Sequence, residues 1–189
     1  MRSLSCFLFV LVADLACAAT INASFDSMAD GTVITNEYPG FTFTNARAIT
    51  SGLTLNELQF PPRSGSNVAD DFGGPINISF SIPVVNFAGC FTYSTGLTLT
   101  AYDSLNQVVG STNSAFSSNV FSSPNSPNEQ LQLSFAGGIS RVTLAGGSNG
   151  GSFVVDDLAF TTPSSAEVPE PATFWLLLPA LAMLRRAKR

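Results

Sequence analysis

Three aspartates near the two ends of the central segment are the residues best placed to do chemistry. Asp26 follows Ala23-Ser24-Phe25, and Asp156 and Asp157 sit inside the run Phe153-Val154-Val155-Asp156-Asp157-Leu158-Ala159-Phe160. Phe153 and Val155 share one parity, whereas Leu158 and Phe160 share the other. For both pairs to face a core, the register must shift at Asp156-Asp157, which is what a β-bulge does. A bulge can aim a carboxylate and free a backbone carbonyl. The other reading of Asp26 and Asp156 is as turn caps that accept backbone hydrogen bonds. Asp70-Asp71-Phe72-Gly73-Gly74 is a second acidic spot and reads as a loop. No stretch of the form Asp-x-Asp-x-Asp-Gly is present to bind calcium by itself.

Other chemistries lack their parts. The chain has no histidine, which removes Ser-His-Asp and Cys-His nucleophile systems and His-ligated zinc. Its only lysine is Lys188, so there is no phosphate-loop lysine. Cys90 is the only cysteine after Cys17 and has no histidine to activate it; it reads as a small sheet or core residue. Glu37, Glu57 and Asp103 could supply the carboxylate pair of a glycan hydrolase, but any chain of this size offers such pairs. Tyr38, Tyr93 and Tyr102 could stack on sugar rings, while the sole Trp175 lies near the C-terminus. The sequence therefore points away from an enzyme.

Charge is divided by position. Between residues 19 and 167 there are three arginines (Arg47, Arg63, Arg141) against eleven acidic residues, a net −8. An acidic domain repels a phosphate backbone, so nucleic acid is not an expected partner. The last five residues hold Arg185, Arg186, Lys188 and Arg189. A basic cluster beside an apolar run is a membrane-topology signal.

The two ends read as targeting segments. Arg2, the largely apolar stretch Cys6 to Leu15 and the small residues Ala16-Cys17-Ala18 make a secretory signal cleaved after Ala18, with Asp14 as its one blemish. At the other end, Val168-Pro169-Glu170-Pro171 precedes an apolar run from Ala172 to Leu184, closed by Arg185-Arg186-Ala187-Lys188-Arg189. The prolines mark an extended segment, and Pro171 suits the first position of a helix. The run spans roughly 20 Å as a helix, short of the ~20 residues a bilayer core needs. Pro179 interrupts it further.

This tail resembles the PEP-CTERM sorting signals, on Pro169, Glu170 and Pro171, the apolar stretch, and Arg185 and Arg186. The resemblance implies that an exosortase in the inner membrane recognises the motif and processes the protein to the cell surface. Signal peptidase would act at the other end. Pro169 to Pro171 would then be recognition residues of a substrate.

Between the ends, period-two patterns dominate. Ile76, Ile78, Phe80 and Ile82 form one alternating set, and Val85, Phe87, Gly89, Phe91 and Tyr93 another. Leu97, Leu99 and Ala101 alternate with Thr98, Thr100 and Tyr102; Leu131, Leu133 and Phe135 alternate with Gln132 and Ser134; Phe41 and Phe43 flank Thr42. Glycine-rich turns separate these runs, and Ser111 to Asn128 reads as a long loop. The sequence thus predicts an all-β chain, an antiparallel two-sheet β-sandwich of jelly-roll type, with a signal helix and a short C-terminal membrane helix at its ends. The expected organisation is a signal peptide over 1–18, the β-sandwich over 19–162, a linker over 163–168 and the sorting tail over 169–189.

The Phe-Asp opening and the apolar-Asp-Asp-Leu ending resemble the jelly-roll domains of PEP-CTERM proteins and of galactose-binding-like and carbohydrate-binding sandwiches. There the first and last strands are commonly neighbours, and some hold a structural Ca²⁺ between them. That resemblance implies Asp26 and Asp157 as ligands, with Asp156 or Asp30 as helpers. The expected function is that of an exported, non-enzymatic cell-surface or matrix protein. The alternatives are an extracellular polysaccharide-binding module and, behind it, a glycan hydrolase.

Overall fold

The computed structural model describes residues 18–164. The expected signal segment up to residue 17, the linker beyond residue 164 and the sorting tail lie outside the described residues. Ten strands follow one another: β1 Thr20–Ala23, β2 Val33–Ile34, β3 Phe41–Thr44, β4 Ala46–Thr50, β5 Asn67–Asp71, β6 Ile76–Tyr93, β7 Thr98–Tyr102, β8 Val108–Asn113, β9 Glu129–Ala145 and β10 Phe153–Thr161. Every pairing between them is antiparallel. The described chain is all-β, as the alternating patterns require.

Two strands are too long for one layer. β6 has 18 residues and β9 has 17. At about 3.3 Å per residue, straight strands of that length would overrun a domain of this size. They bend together instead. Their register slips between Ser79 and Val84, and again between Val84 and Asn86. Gly138 sits in the bend at φ 94°, where a Cβ would lie 2.9 Å from the Pro83 Cβ.

The bent pair belongs to two layers. In one, β6 and β9 continue the order β2-β4-β5-β10-β6-β9; in the other they lie between β3 and β7-β8. β10 changes neighbours along its length. Val154 and Val155 pair with β5, whereas Leu158 to Thr161 pair with β1, so first and last strands are neighbours. The layers meet through aromatic rings. Phe160 of β10 lies 4.7 Å from Phe41, 5.2 Å from Phe80 and 5.6 Å from Phe87, centroid to centroid. This is a β-sandwich in which one hydrogen-bonded sheet folds over onto itself.

The structure corrects four details. Ile82 is 63% exposed and does not continue the buried set of Ile76, Ile78 and Phe80. Val84, not Val85, is the buried residue beyond it. Ile82 lies in the irregular stretch between Ser79 and Val84, where β6 advances five residues against two of β9, and buried positions pass from even (Phe80, Val84) to odd (Phe87, Phe91) across the second slip. Ser111 to Asn113 are strand, so the loop begins at Ser114. Asp70-Asp71 is not a loop: it ends β5, whose five residues are all buried.

Phe160 is the shared ring of both layers, and its truncation leaves a cavity neither can fill. Phe160→Ala should cost about 3–5 kcal/mol, read as a lowered midpoint in urea at unchanged slope.

Candidate functional site

The three aspartates singled out by the sequence converge on one segment. After β1 the chain turns at Phe25, which holds φ 65°, and Asp26 Oδ1 accepts the N–H groups of Ser66 (2.8 Å) and Asn67 (3.0 Å). At the bulge of β10, where the register to β6 shifts between Asp156 and Ala159, Asp157 takes φ 49°. Asp156 Oδ2 there accepts N–H groups from Arg63 (2.8 Å) and Ser64 (2.9 Å), and its Oδ1 accepts that of Asp157 (2.7 Å). Ser64 Oγ donates to Asp157 Oδ1 at 2.8 Å. Gly65 lies between these bonds, and a Cβ there would fall 2.1 Å from Asp26 Oδ1.

The segment so held is the end of the connection from β4 to β5. That connection lies across the outer surface of the first layer. Its Leu55 and Phe60 pack on Ile49, Val68 and Val154, a second apolar cluster apart from the main core. A second loop ties it down. Phe121 N donates to Gln59 O at 3.0 Å, Ser122 Oγ donates to Gln59 Oε1 at 2.7 Å, and Asn128 Nδ2 donates to Pro61 O at 3.1 Å. Asn119, fully buried, fixes that loop to β6 through Tyr93 N (2.7 Å) and Phe91 O (2.9 Å).

This arrangement fits a clamp and does not fit a Ca²⁺ cage. Ca²⁺ needs six to eight oxygens turned toward it. Here Asp26 Oδ1 and both oxygens of Asp156 turn toward amide N–H groups, and Asp157 Oδ1 toward the Ser64 hydroxyl. Among the described residues no three acidic, histidine or cysteine side chains gather to hold a metal. Asp30, the expected helper, serves elsewhere and accepts Thr50 N (2.8 Å) and Thr54 Oγ1 (2.7 Å).

The same use of carboxylates runs through the domain. Asp71 is fully buried at the end of β5, accepting Ser152 N (2.8 Å), Ser152 Oγ (2.7 Å) and Phe153 N (3.1 Å). Burial pushes its carboxyl upward against those bonds. Asp70 pairs with Arg47, whose guanidinium also lies 4.3 Å from the Phe72 ring centre. Glu37, Glu57 and Asp103 accept the amides of Thr35, Gly52, and Leu105 and Gln107. Glu129 accepts Ala115 N and the Tyr93 hydroxyl. Each of the ten carboxylates among residues 18–164 thus accepts a bond from the protein. Tyr93 is fully buried, so it cannot stack on a sugar, and its hydroxyl is pushed up to about 12, first by burial and then by Glu129. Cys90 is a half-buried free thiol, also pushed upward by burial.

The outer face of the second layer is open. Across its five strands the registers line up Thr44, Asn77, Thr143, Thr100 and Ser111 in one row. The next row is Thr42, Ser79, Arg141 and Tyr102. With strands about 4.8 Å apart, the face is roughly 19 Å wide. Neither row holds a carboxylate. Arg141 is pinned: its guanidinium carbon lies 3.7 Å from the Tyr102 ring centre, and its nitrogens donate to Thr143 Oγ1 (2.7 Å), Asn77 Oδ1 (3.3 Å) and Asn106 Oδ1 (2.6 Å). Beside β3 the face runs into an open depression of about 390 Å³ lined by Tyr38, Phe41, Thr42, Ser79, Phe80 and Ser81 among others. Tyr38 stacks on Phe41 there at 5.4 Å, and its hydroxyl oxygen accepts Phe25 N at 3.0 Å. The sequence carries a signal for this face: the residues that alternate with the apolar sets around Ile78 and Leu99 are Asn, Ser, Thr and Tyr, none of them acidic.

No family model and no curated protein matches the chain. Solved structures of similar course include the K2 cleaved adhesin domain of Lys-gingipain, at 12% identity, covering 76% of this chain and 100% of that one with a TM-score of 0.49. The K1 cleaved adhesin domain of Lys-gingipain from Porphyromonas gingivalis W83 follows at 8% identity, 77% and 99% coverage and a TM-score of 0.46. An aspartate-to-alanine variant of a family 29 carbohydrate-binding module matches at 11% identity, 81% and 99% coverage and a TM-score of 0.41.

Two outcomes test the clamp. Burial, chiefly, pushes the Asp156 carboxyl up to about 6 from its ordinary value of 3.8. The folded state therefore holds this proton more tightly than the unfolded one. The stabilisation is complete below the ordinary value and is lost as pH rises through about 6. Urea melts of Asp156→Asn and the wild type at several pH values should show the difference moving in the variant's favour as pH climbs from about 4 to about 7. A chelator should leave the melting temperature unchanged; a fall of several degrees would assign the site to a cation instead.

Proposed function

We propose that this chain is an exported, surface-sorted protein whose jelly-roll-type sandwich is a non-catalytic binding module for a neutral extracellular polysaccharide. The observation that carries the reading is the carboxylate-free outer face of β3-β6-β9-β7-β8 on an otherwise acidic domain. Its hydroxyls and amides match the donors and acceptors of a polyhydroxylated chain. Arg141 lying on Tyr102 offers a flat platform, and the depression beside Tyr38 offers an apolar wall for a ring. The absence of acidic side chains from both rows leaves this face without a catalytic pair.

The non-catalytic part of the reading is supported by the fate of the carboxylates. Glycoside cleavage needs two of them facing each other across the scissile bond. In this domain they are spent on amides, hydroxyls and, for Asp70, the Arg47 guanidinium, and Asp26, Asp156 and Asp157 hold a loop in place.

Export and sorting rest on the residues of the two ends. Signal peptidase would release the chain after Ala18. Pro169, Glu170 and Pro171, the apolar run and Arg185 with Arg186 would hold the tail in the inner membrane for an exosortase, which passes the domain to the surface.

Binding is tested by affinity electrophoresis and calorimetry against neutral and acidic matrix polysaccharides. The reading expects a neutral polymer to bind, with Arg141→Ala and Ser79→Glu each weakening it at least tenfold in protein that keeps its strand spectrum. Binding untouched by both changes would remove the face from the reading. Sorting is tested by deleting residues 169–171: the protein should stay in the membrane fraction with its tail intact, and normal trimming and release would end the exosortase reading.

A further inference from the structure

The open face ends at a bare strand edge. β8, Val108–Asn113, closes the order of strands, and no strand among the described residues pairs with its other side. Ser114 N donates to Leu97 O at 2.8 Å, just beyond the paired residues Thr98 and Asn113. Antiparallel ladders alternate bonded and non-bonded pairs. That bond therefore sets the parity: Thr112 bonds to Leu99, while Ser111 and Asn113 turn their backbone N–H and C=O away from β7. A register slip near Val109 ends the regular ladder at the other side and leaves Gly110–Asn113 regular.

Natural edges of this kind are usually guarded by charge, proline or a covering loop. β8 has no charged residue and no proline. The other free edges differ. β2 is two residues long. The outer edge of β3 is already engaged, since Phe43 N donates to Thr35 O at 2.6 Å. β1 has four residues against the six of β8, and the edge of the first layer, Glu129–Ser134 of β9, opens on a carboxylate.

We infer that β8 is the pairing edge for a second copy of this chain, strand against strand and antiparallel about a two-fold axis through Thr112. In that register Ser111 of each copy faces Asn113 of the other, so both outward N–H and C=O sets are satisfied twice. A strand paired with itself needs no foreign sequence. Charge favours the same choice. Two copies of a domain with net −8 between residues 19 and 167 repel across most surfaces, and this edge and the face beside it carry no carboxylate to oppose contact. Pairing here joins two five-stranded faces into one continuous surface. A long polymer would then meet two sites held in fixed relation, which raises avidity without new contacts. The pairing follows from the edge itself and stands whether or not a polysaccharide binds.

The test uses the mature chain with any retained tail, purified from cells and examined by light scattering at tens of micromolar. Wild type should have the mass of a dimer. Ser111→Pro removes one outward N–H, which the ladder to β7 does not use, so this variant should be monomeric with an unchanged strand spectrum. Ser111→Cys in a Cys90→Ser background should be cross-linked to a dimer by a short bismaleimide, and Leu53→Cys in the same background should not. A monomeric wild type would overturn the inference, as would a dimer that survives Ser111→Pro in folded protein, since both proteins carry the same tail. A mass that grows beyond the dimer with concentration would place the contact on another edge.

Discussion

Backbone amides outside the ladders need acceptors, and in this chain the carboxylates supply them. A buried N–H without a partner costs about 1–3 kcal/mol, and long connections crossing a sheet carry many such groups. A charged acceptor makes a stronger bond than a neutral carbonyl. Asp26, Asp156, Asp71 and Glu129 each use this chemistry to fix a segment that has no ladder of its own. The burial cost is visible in Asp71 and Asp156, whose carboxyls are pushed upward despite their bonds. Asp26 and Asp156 hold the end of the β4–β5 connection, whose Leu55 and Phe60 lie on Ile49, Val68 and Val154.

The two outer surfaces of the sandwich follow from that arrangement. One is covered, because the acidic residues at β1 and at the bulge of β10 pin a loop over it. The other has neither loop nor carboxylate above it, and its hydroxyls and amides bond to one another in rows. The bend in β6 and β9 is what makes the two surfaces different. It sends one half of each long strand into the layer that carries the clamped loop and the other half beneath the open face. Acidity and openness are thus segregated by the fold, although the chain interleaves them.

The position of Asp156 and Asp157 illustrates how far local pattern reaches. The parity change between Val155 and Leu158 is a local fact, and the register shift in β10 is its direct consequence. Asp70 and Asp71 show the opposite. Beside two glycines they look like a turn, yet Asp71 is drawn inward by the amides of Ser152 and Phe153, far along the chain. Ile82 likewise follows its neighbours' alternation but lies outward, because it falls in the stretch unpaired with β9 where β6 bends between Ser79 and Val84.

The sequence by itself determined the strand character, the bulge, the absence of histidine chemistry and the polarity of each strand's two sides, because period, parity and composition are properties of neighbours along the chain. Only the tertiary structure decided what the aspartates do. Whether a carboxylate meets a cation or an amide depends on which distant segment the sheet order brings to it, and Asp26 met the amides of Ser66 and Asn67 because β10 sets β1 and β5 along the same edge.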